Sequence, residues 1–437
     1  MKINKMKIKI GIKRWIVLGG IGIILFSLGL SPIYKYINFT IDEPYIYIIM
    51  IIVGTIFLFI SLKYGLGTLL GVINKYKYEV DLSKNSVSNM INKKKVLDKG
   101  PKVVVLGGGT GLSVLLRGLK NYTSNITAVV TVADDGGGSG ILREDLGMLP
   151  PGDIRSCILA LADTEPTMEK LLQYRFTEGN LKGQSFGNLF IAAMNGIYDN
   201  FEFAIKEMAN VLAVSGEVLP MTLEDVTLYA KLENGKVIKG ESNVSVVNEE
   251  IKSKIEKVFL KPQNLNPLVE TIDRIREADI VLLGPGSLYT SVIPNLLIKN
   301  IVKELENTKA TKIYISNVMT QPGETDGYSV SDHVRAIIKH SSEKIIDYVI
   351  TNNEKLPANV LQKYSEDGAT PVLLNEEDND YLIIKGITVI EDNLIDIKKD
   401  YIRHDAIRLS QIITSLSQNH KLPILEFLNS RKDISKS

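Results

Sequence analysis

The pattern of apolar and polar positions divides the chain into two stretches of different kind. Residues 15–34, "WIVLGGIGIILFSLGLSPIY", and 44–62, "PYIYIIMIIVGTIFLFISL", carry no formal charge. Neither shows the polar face of a helix packed on a soluble core. Each is long enough to cross ~30 Å of hydrocarbon as a helix. From Lys102 onward the pattern changes to short apolar runs that alternate with helical periodicity. "VVVL" (103–106), "ITAVVTV" (126–132), "DIVLLG" (279–284), "KIYISNV" (312–318) and "DYVITN" (347–352) predict buried strands. Leu112, Leu115, Leu116 and Leu119 fall on one helical face, as do Phe201, Ile205, Met208 and Leu212 over 201–212. Such alternation predicts an α/β fold with a mainly parallel sheet covered by helices on both faces. "TLYAKLENGKVIKGES" (227–242) interrupts it, alternating around Asn234-Gly235. It predicts an antiparallel hairpin insertion at a sheet edge.

Charge gives the apolar runs an orientation. Lys2, Lys5, Lys7, Lys9, Lys13 and Arg14 precede the first, and Lys63, Lys75 and Lys77 follow the second. Between them only Lys35 stands against Asp42 and Glu43. The expectation is an N-terminal transmembrane helical hairpin over 1–63, with helices at about 15–34 and 44–62 and both termini cytoplasmic. A cleaved signal peptide is the competing reading; the second run and the lack of an A-x-A-like site count against it. A polar linker is expected over 64–100, where "GLGTLLGVIN" either continues the second helix or lies at the membrane surface. The cytoplasmic domain is expected over 101–425 and a polar tail over 426–437. A net charge of +1 gives no electrostatic case for nucleic acid. The single cysteine, Cys157, excludes an internal disulfide, and a small buried apolar role suits it better than a reactive thiol.

Candidate chemistry lies in the loops at the carboxyl ends of the strands, where open parallel sheets bind ligands. After the first strand, Gly107, Gly108, Gly109, Thr110 and Gly111 let backbone N–H groups at a helix start approach an anion. The loop lacks the third glycine of G-x-G-x-x-G and the Lys-Ser/Thr of a P-loop, and a merely tight turn remains the alternative. "ADDGGGSGILREDLGMLPPGDIR" (133–155) follows the second strand. There Asp134 and Asp135 could meet a ribose or Mg²⁺, Gly137 and Ser139 form a cradle, and Arg143 and Arg155 offer forks for phosphate. Paired aspartates also serve as caps. In "GQSFGNLFIAAMNGI" (183–197), Ser185 and Asn188 either contact ligand or begin a core helix. "LLGPGSLYTSVIPNLL" (282–297) repeats the strand-to-glycine turn with Gly284, Gly286, Ser287, Tyr289, Thr290 and Ser291. Asn317, Thr320, Gln321, Glu324 and Thr325 form a polar loop before a helix capped near Ser331. Arg403 and His404 are expected at a helix start, as a phosphate contact or an ordinary surface pair.

Together these loops resemble one family. "GGGTGLSVLLRGLK", "VTVADDGGGSGILRED", "PPGDIR", "QSFGNL", "GPGSLYTSVIPNLL" and "MTQPGETDGY" are similar to the gluconeogenesis-factor (YvcK-like) branch of the 2-phospho-L-lactate transferase (CofD-like) superfamily. The resemblance covers roughly 102–420 and leaves the apolar hairpin outside. It implies a modified Rossmann-like fold and a UDP-sugar as ligand. It also implies a role in cell shape and wall synthesis during gluconeogenic growth. Under it, glycines 107–111 and 284–286 would hold diphosphate, Asp134 or Asp135 a ribose or metal, and Arg403 a sugar phosphate. The alternative it implies is a Mg²⁺-dependent transferase acting on a nucleotide-activated donor, with the metal on Asp134 and Asp135. Wall-synthesis or regulatory proteins are expected partners, together with the lipid bilayer, and a homo-oligomer stays open.

Overall fold

The computed structural model describes residues 11–30, 44–76, 94–163, 166–398 and 401–417. The chain divides into two compact units, Met1–Lys93 and Lys94–Ser437. In the first, helices Gly11–Gly29 and Pro44–Tyr76 pack side by side. Glycine permits their approach: a β-carbon on Gly54 would lie 2.7 Å from Phe26 N, and one on Gly22 3.1 Å from Gly54 O. Trp15 and Tyr64 stack with ring centroids 5.1 Å apart, and Ser61 Oγ donates to Trp15 O at 2.6 Å. Tyr45–Gly65 is long and apolar enough to cross a membrane, with a mean hydropathy of 2.6.

The helix bounds differ from those expected. The first helix closes at Gly29, and 31–43 lie outside the described residues. The second runs past residue 62 to Tyr76. "GLGTLLGVIN" therefore continues the helix, holding no proline to break it. Residues 77–93 and 418–437, which take in the middle of the expected linker and the whole polar tail, lie outside the described residues.

Among the described residues, the second unit is built on twelve strands. They are β1 Val103–Gly107, β2 Ile126–Val130, β3 Glu217–Pro220, β4 Thr227–Leu232, β5 Val237–Lys239, β6 Ile255–Lys261, β7 Ile280–Leu283, β8 Thr311–Ile315, β9 Tyr348–Asn352, β10 Thr388–Asp392, β11 Ile395–Lys398 and β12 Tyr401–His404. Seven form one sheet in the order β10-β9-β8-β7-β1-β2-β3, with every neighbouring pair parallel. Helices Gly109–Leu119, Gly152–Leu161 and Ala406–Ser415 pack together, and Val269–Glu277 with Lys299–Asn307 form another group. With helices all around it, the sheet's central strands are fully buried, as β1, β2 and β7 show at every residue. Three strands end sooner than their apolar runs, at Val130, Leu283 and Ile315 rather than 132, 284 and 318. The ladder stops there because the chain turns away into the loops considered below.

The hairpin at Asn234-Gly235 is present, with Gly235 at φ +87°. Its place differs from expectation. β4 pairs with β5 on one side and β6 on the other, forming a separate three-stranded antiparallel sheet. With both edges of β4 occupied, the insertion adds nothing to the edges of the main sheet, which are β3 and β10.

Leu112, Leu115, Leu116 and Leu119 are wholly buried, so the helical stripe read in the sequence is the face laid on the sheet. The opposite side of that helix meets the last helix at Gly118, where a β-carbon would collide with Ala406 O. Gly118→Ala is therefore expected to lower the unfolding free energy of the domain by about 1–3 kcal/mol through overpacking, read as a lower urea midpoint with an unchanged slope.

Candidate functional site

The strand order reverses between β1 and β7. The chain steps outward from β1 to β2 and β3, then returns on the other side of β1 as β7. Open parallel sheets bind ligands beyond the strand ends at such a point. Here both strands end in glycine turns that interlock. A β-carbon on Gly107 would lie 3.8 Å from Gly284 Cα, one on Gly111 3.0 Å from Pro285 O, and one on Gly286 3.2 Å from Gly108 O. Gly109 and Gly284 also take left-handed angles, at φ +68° and +80°.

Asp153, in the first turn of Gly152–Leu161, ties this pair of turns to the next loop. Its Oδ2 accepts the Gly109 N–H at 2.7 Å. Burial pushes its carboxyl up to about 6, against the pull of that N–H and with a further push from Asp134. Asp134 is raised by burial too, while its Oδ1 accepts the Gly136 N–H at 2.9 Å and Ser139 donates to it. A β-carbon on Gly152 would displace Ser139 Oγ and lie 3.3 Å from Asp134 Oδ2. Glu241 begins the helix Glu241–Ile251 of the insertion. Its carboxyl is pushed well above the usual range by burial, then by Asp134, Asp153 and Glu324, and its Oε2 has no partner. Glu324, fully enclosed, is pushed up to about 7 by burial. Its Oε1 accepts from Gln321 Nε2 at 2.7 Å and from Thr290 Oγ1 at 3.3 Å, and its Oε2 has no partner. Three carboxyls, from the loop after β2, a helix start and the loop after β8, thus lie within electrostatic reach of Glu241, itself at a helix start.

The other expected residues divide between crevice and scaffold. Asp135 turns to cap the inserted helix: its Oδ1 accepts the Ser242 N–H at 2.9 Å, and a β-carbon on Gly240 would collide with its Oδ2. Arg143 donates to Val226 O at 2.5 Å and pairs with Asp225, also at 2.5 Å, which ties it to the loop before β4. Gly137, at φ +49°, opens the helix Gly137–Leu146. Ser185 caps Phe186–Tyr198, its Oγ accepting the Asn188 N–H at 3.2 Å, and Asn188 is buried with Oδ1 unpartnered. The Ser287 carbonyl accepts from Ser291 N–H at 2.9 Å and opens the turn Leu288–Val292. Tyr289 is buried with its hydroxyl 2.8 Å from that of Tyr328. Thr320 Oγ1 accepts the Thr370 N–H at 2.8 Å. Asn317 is half-buried just past β8, beside Ser316, whose carbonyl lies 3.2 Å from His404 Nε2. The helix after this loop is capped near Ser331, at Ser329.

Arg403 and His404 lie on a strand, not at a helix start. β11 and β12 pair Arg403 with Asp396, and Asp405 caps the following helix by accepting from Ile407 N–H and Arg408 N–H. This places Arg403, exposed, beside the first glycine turn. Thr110, Gly111, Val114, Tyr401 and Arg403 line a cavity of about 260 Å³. A larger hollow of about 630 Å³ sits at the opposite ends of β1–β3. Its cations Lys102, Arg274 and Lys206 are each paired with a glutamate, Glu277, Glu217 and Glu202 respectively, so none of these three is free to meet an anionic ligand. The smaller cavity is the better candidate because Thr110 and Gly111 of the first glycine turn and the cation Arg403 line it. Sequence reasoning missed Asp153 and Glu241. Asp153 stands in the quoted "PPGDIR", yet nothing in the local pattern shows that it reaches Gly109.

The family model described as "2-phospho-L-lactate transferase CofD" matches residues 103–395. A relative from Clostridium acetobutylicum is 52% identical over 421 residues, 96% of this chain and 93% of its own length. That span takes in most of the N-terminal hairpin, so the similarity is not confined to 102–420. The protein called "Gluconeogenesis factor" in Bacillus subtilis is 48% identical over 317 residues, 72% of this chain and 98% of that one. A crystal structure from Bacillus halodurans is 46% identical with a TM-score of 0.68, covering 71% of this chain and 98% of that chain.

Glu324 generates a pH prediction. Its folded carboxyl titrates near 7 against an ordinary 4.5, so between those values the folded state holds a proton that the unfolded chain has lost. Its contribution is fully present below about pH 4.5 and is lost as pH rises through about 7. Relative to Glu324→Gln, the parent should gain up to about 3 kcal/mol of unfolding free energy between pH 7.5 and 4.5, measured by urea melts across that window.

Proposed function

The chain belongs to the gluconeogenesis factor family, within the superfamily named for 2-phospho-L-lactate transferase, and we propose that it is a nucleotide-sugar-binding regulatory protein. The observation that carries this reading is the interlock of the β1 and β7 glycine turns with Arg403 on the adjoining wall. N–H groups at the start of Gly109–Leu119 suit a diphosphate, and the exposed Arg403 guanidinium suits a phosphate oxygen of the same ligand. Asp134 suits a ribose hydroxyl. A UDP-sugar combines these groups. Regulation is favoured over catalysis because Asp135, Arg143, Tyr289 and Thr320 each hold another part of the protein. The curated relatives carry gluconeogenesis in their name. Coupling carbon supply to wall synthesis and cell shape is the role we infer. The apolar hairpin would anchor the domain at the cell membrane with both termini cytoplasmic, consistent with the Tyr45–Gly65 helix and the basic flanks.

A transferase is the second reading, favoured by the description of the matching family model. Of the two aspartates expected on Mg²⁺, Asp135 is committed to the inserted helix, which leaves Asp134 to hold the ion. Binding through one carboxylate and the substrate's phosphates is usual for Mg²⁺, which would supply charge neutralisation at a diphosphate.

Calorimetry on the full chain in detergent should show UDP-sugar binding, weakened about tenfold or more by Arg403→Gln. No heat with any uridine nucleotide-sugar would overturn the reading, and Mg²⁺-dependent turnover of the donor would favour the transferase. The anchor predicts that the full chain sediments with membranes through a high-salt wash and is released by detergent; recovery in the salt supernatant would refute it.

A further inference from the structure

One group of charges, including the Arg155 read from the sequence as a phosphate fork, has no part in the nucleotide-sugar site proposed above. Arg155, in the helix Gly152–Leu161, donates through Nη1 to Ser185 Oγ at 2.5 Å. Arg175 stands directly across an antiparallel bridge from the same Ser185. Backbone bonds from Phe186 N–H to Tyr174 O at 2.8 Å and from Phe176 N–H to Gln184 O at 2.9 Å fix that bridge. Arg155 is pinned from behind by Gly187, where a β-carbon would lie 2.7 Å from Arg155 Cδ. Neither guanidinium has a carboxylate in salt-bridge contact among the described residues. Arg175 donates to Gly183 O, and the buried Arg155 Nε has no partner at all. Asp153 lies near Arg155, but its Oδ2 is engaged by Gly109.

We propose that Arg155 and Arg175, with Ser185 between them, form an anion subsite that takes the phosphate monoester or carboxylate group of a small ligand. Two guanidiniums repel, and neither can relieve the repulsion by losing its proton. Burial and the Arg175 charge both act against the charged form of Arg155, so the protonated pair is held at a cost that a bound anion would offset. The surroundings favour the same sign of ligand. The helix Phe186–Tyr198 starts at Ser185, and its N-terminus adds a partial positive charge. Gln184 and Asn188, 5% and 3% exposed, each leave a buried amide oxygen unpartnered. Rotation of either amide presents N–H groups in its place. The loop also packs on the glycine run beside Asp134, since a β-carbon on Gly138 would lie 2.8 Å from Gln184 Oε1. The subsite is thus a neighbour of the crevice but is built from different residues, and it does not depend on the nucleotide-sugar reading.

Phenylglyoxal modification of the full chain in membranes tests it. Modification of Arg175 and of Arg117 is followed by mass spectrometry at rising inorganic phosphate or malonate. Arg117, paired with Glu169 on the surface, is the internal control. Saturating anion should slow modification of Arg175 at least about tenfold and leave Arg117 unchanged. Stronger protection by phosphate assigns a phosphoryl ligand, and by malonate a carboxylate. Arg155→Gln should abolish protection at Arg175. Arg175→Gln, at an exposed position, should abolish protection at Arg155 and covers the case in which the first variant does not fold. Equal rates at Arg175 with and without both anions would overturn the proposal, as would protection that survives in either variant. A UDP-sugar that fails to bind the crevice leaves these outcomes untouched.

Discussion

Between β1 and β7 two backbone turns come so close that β-carbons on Gly111 and Gly286 would crowd the facing carbonyls, at 3.0 Å and 3.2 Å. Gly107 faces Gly284, Gly111 faces the carbonyl of Pro285, and Gly286 faces that of Gly108. The parallel pairing of Val103–Leu106 with Ile280–Leu283 sets how close the turns must come, and the absence of β-carbons lets them do so. The rest of the site follows from this approach. It directs the N–H groups of the following helix into the crevice and sets Gly109 where Asp153 can hold it. It also leaves Thr110 and Gly111 as one wall of the cavity that Arg403 closes from β12.

Around that interlock the protein concentrates charges that water would otherwise separate. Asp134, Asp153, Glu241 and Glu324 come from two loops and two helix starts, and burial raises all four carboxyls. The two arginines beside Ser185 form the opposite case, a cationic pair with its carboxylate neighbour engaged elsewhere. The hollow at the other end of the sheet shows what the protein does where charge has no such use: Lys102, Lys206 and Arg274 are each paired with a glutamate. Unrelieved charge therefore lies at the carboxyl ends of the strands, where the fold also provides glycine turns and helix N-termini.

Much of the architecture was legible in local pattern. The leucine stripe at 112–119 is the buried helix face, and the apolar runs are the central strands, because burial on both sides of a parallel sheet demands continuous apolar sequence. Asn234-Gly235 marked a hairpin that exists, but the partner of β4 was invisible: β6 lies beyond an intervening helix and occupies the edge that would have joined the main sheet. The second N-terminal helix ran further than a hydrophobic-span estimate because a stretch without proline can stay helical whether or not it is needed for a span. Arg403 and His404 read as a helix start because Asp405 is indeed a cap. The strand before it is set by pairing with Ile395–Lys398, a contact between segments rather than a property of either.

The sequence by itself determined the fold class, the two apolar N-terminal helices, the glycine loops and the family, since each rests on periodicity, composition or residues close together in the chain. Only the tertiary structure decided which polar residues face the crevice. Asp134 and Asp135 are neighbours of one type, yet one joins the acidic group and the other caps a helix begun 106 residues later, at Glu241. Asp153 reaches a backbone N–H 44 residues away, and Arg155 and Arg175 meet only through Ser185. Side-chain direction in a loop is set by what packs against it, and those partners come from distant parts of the chain.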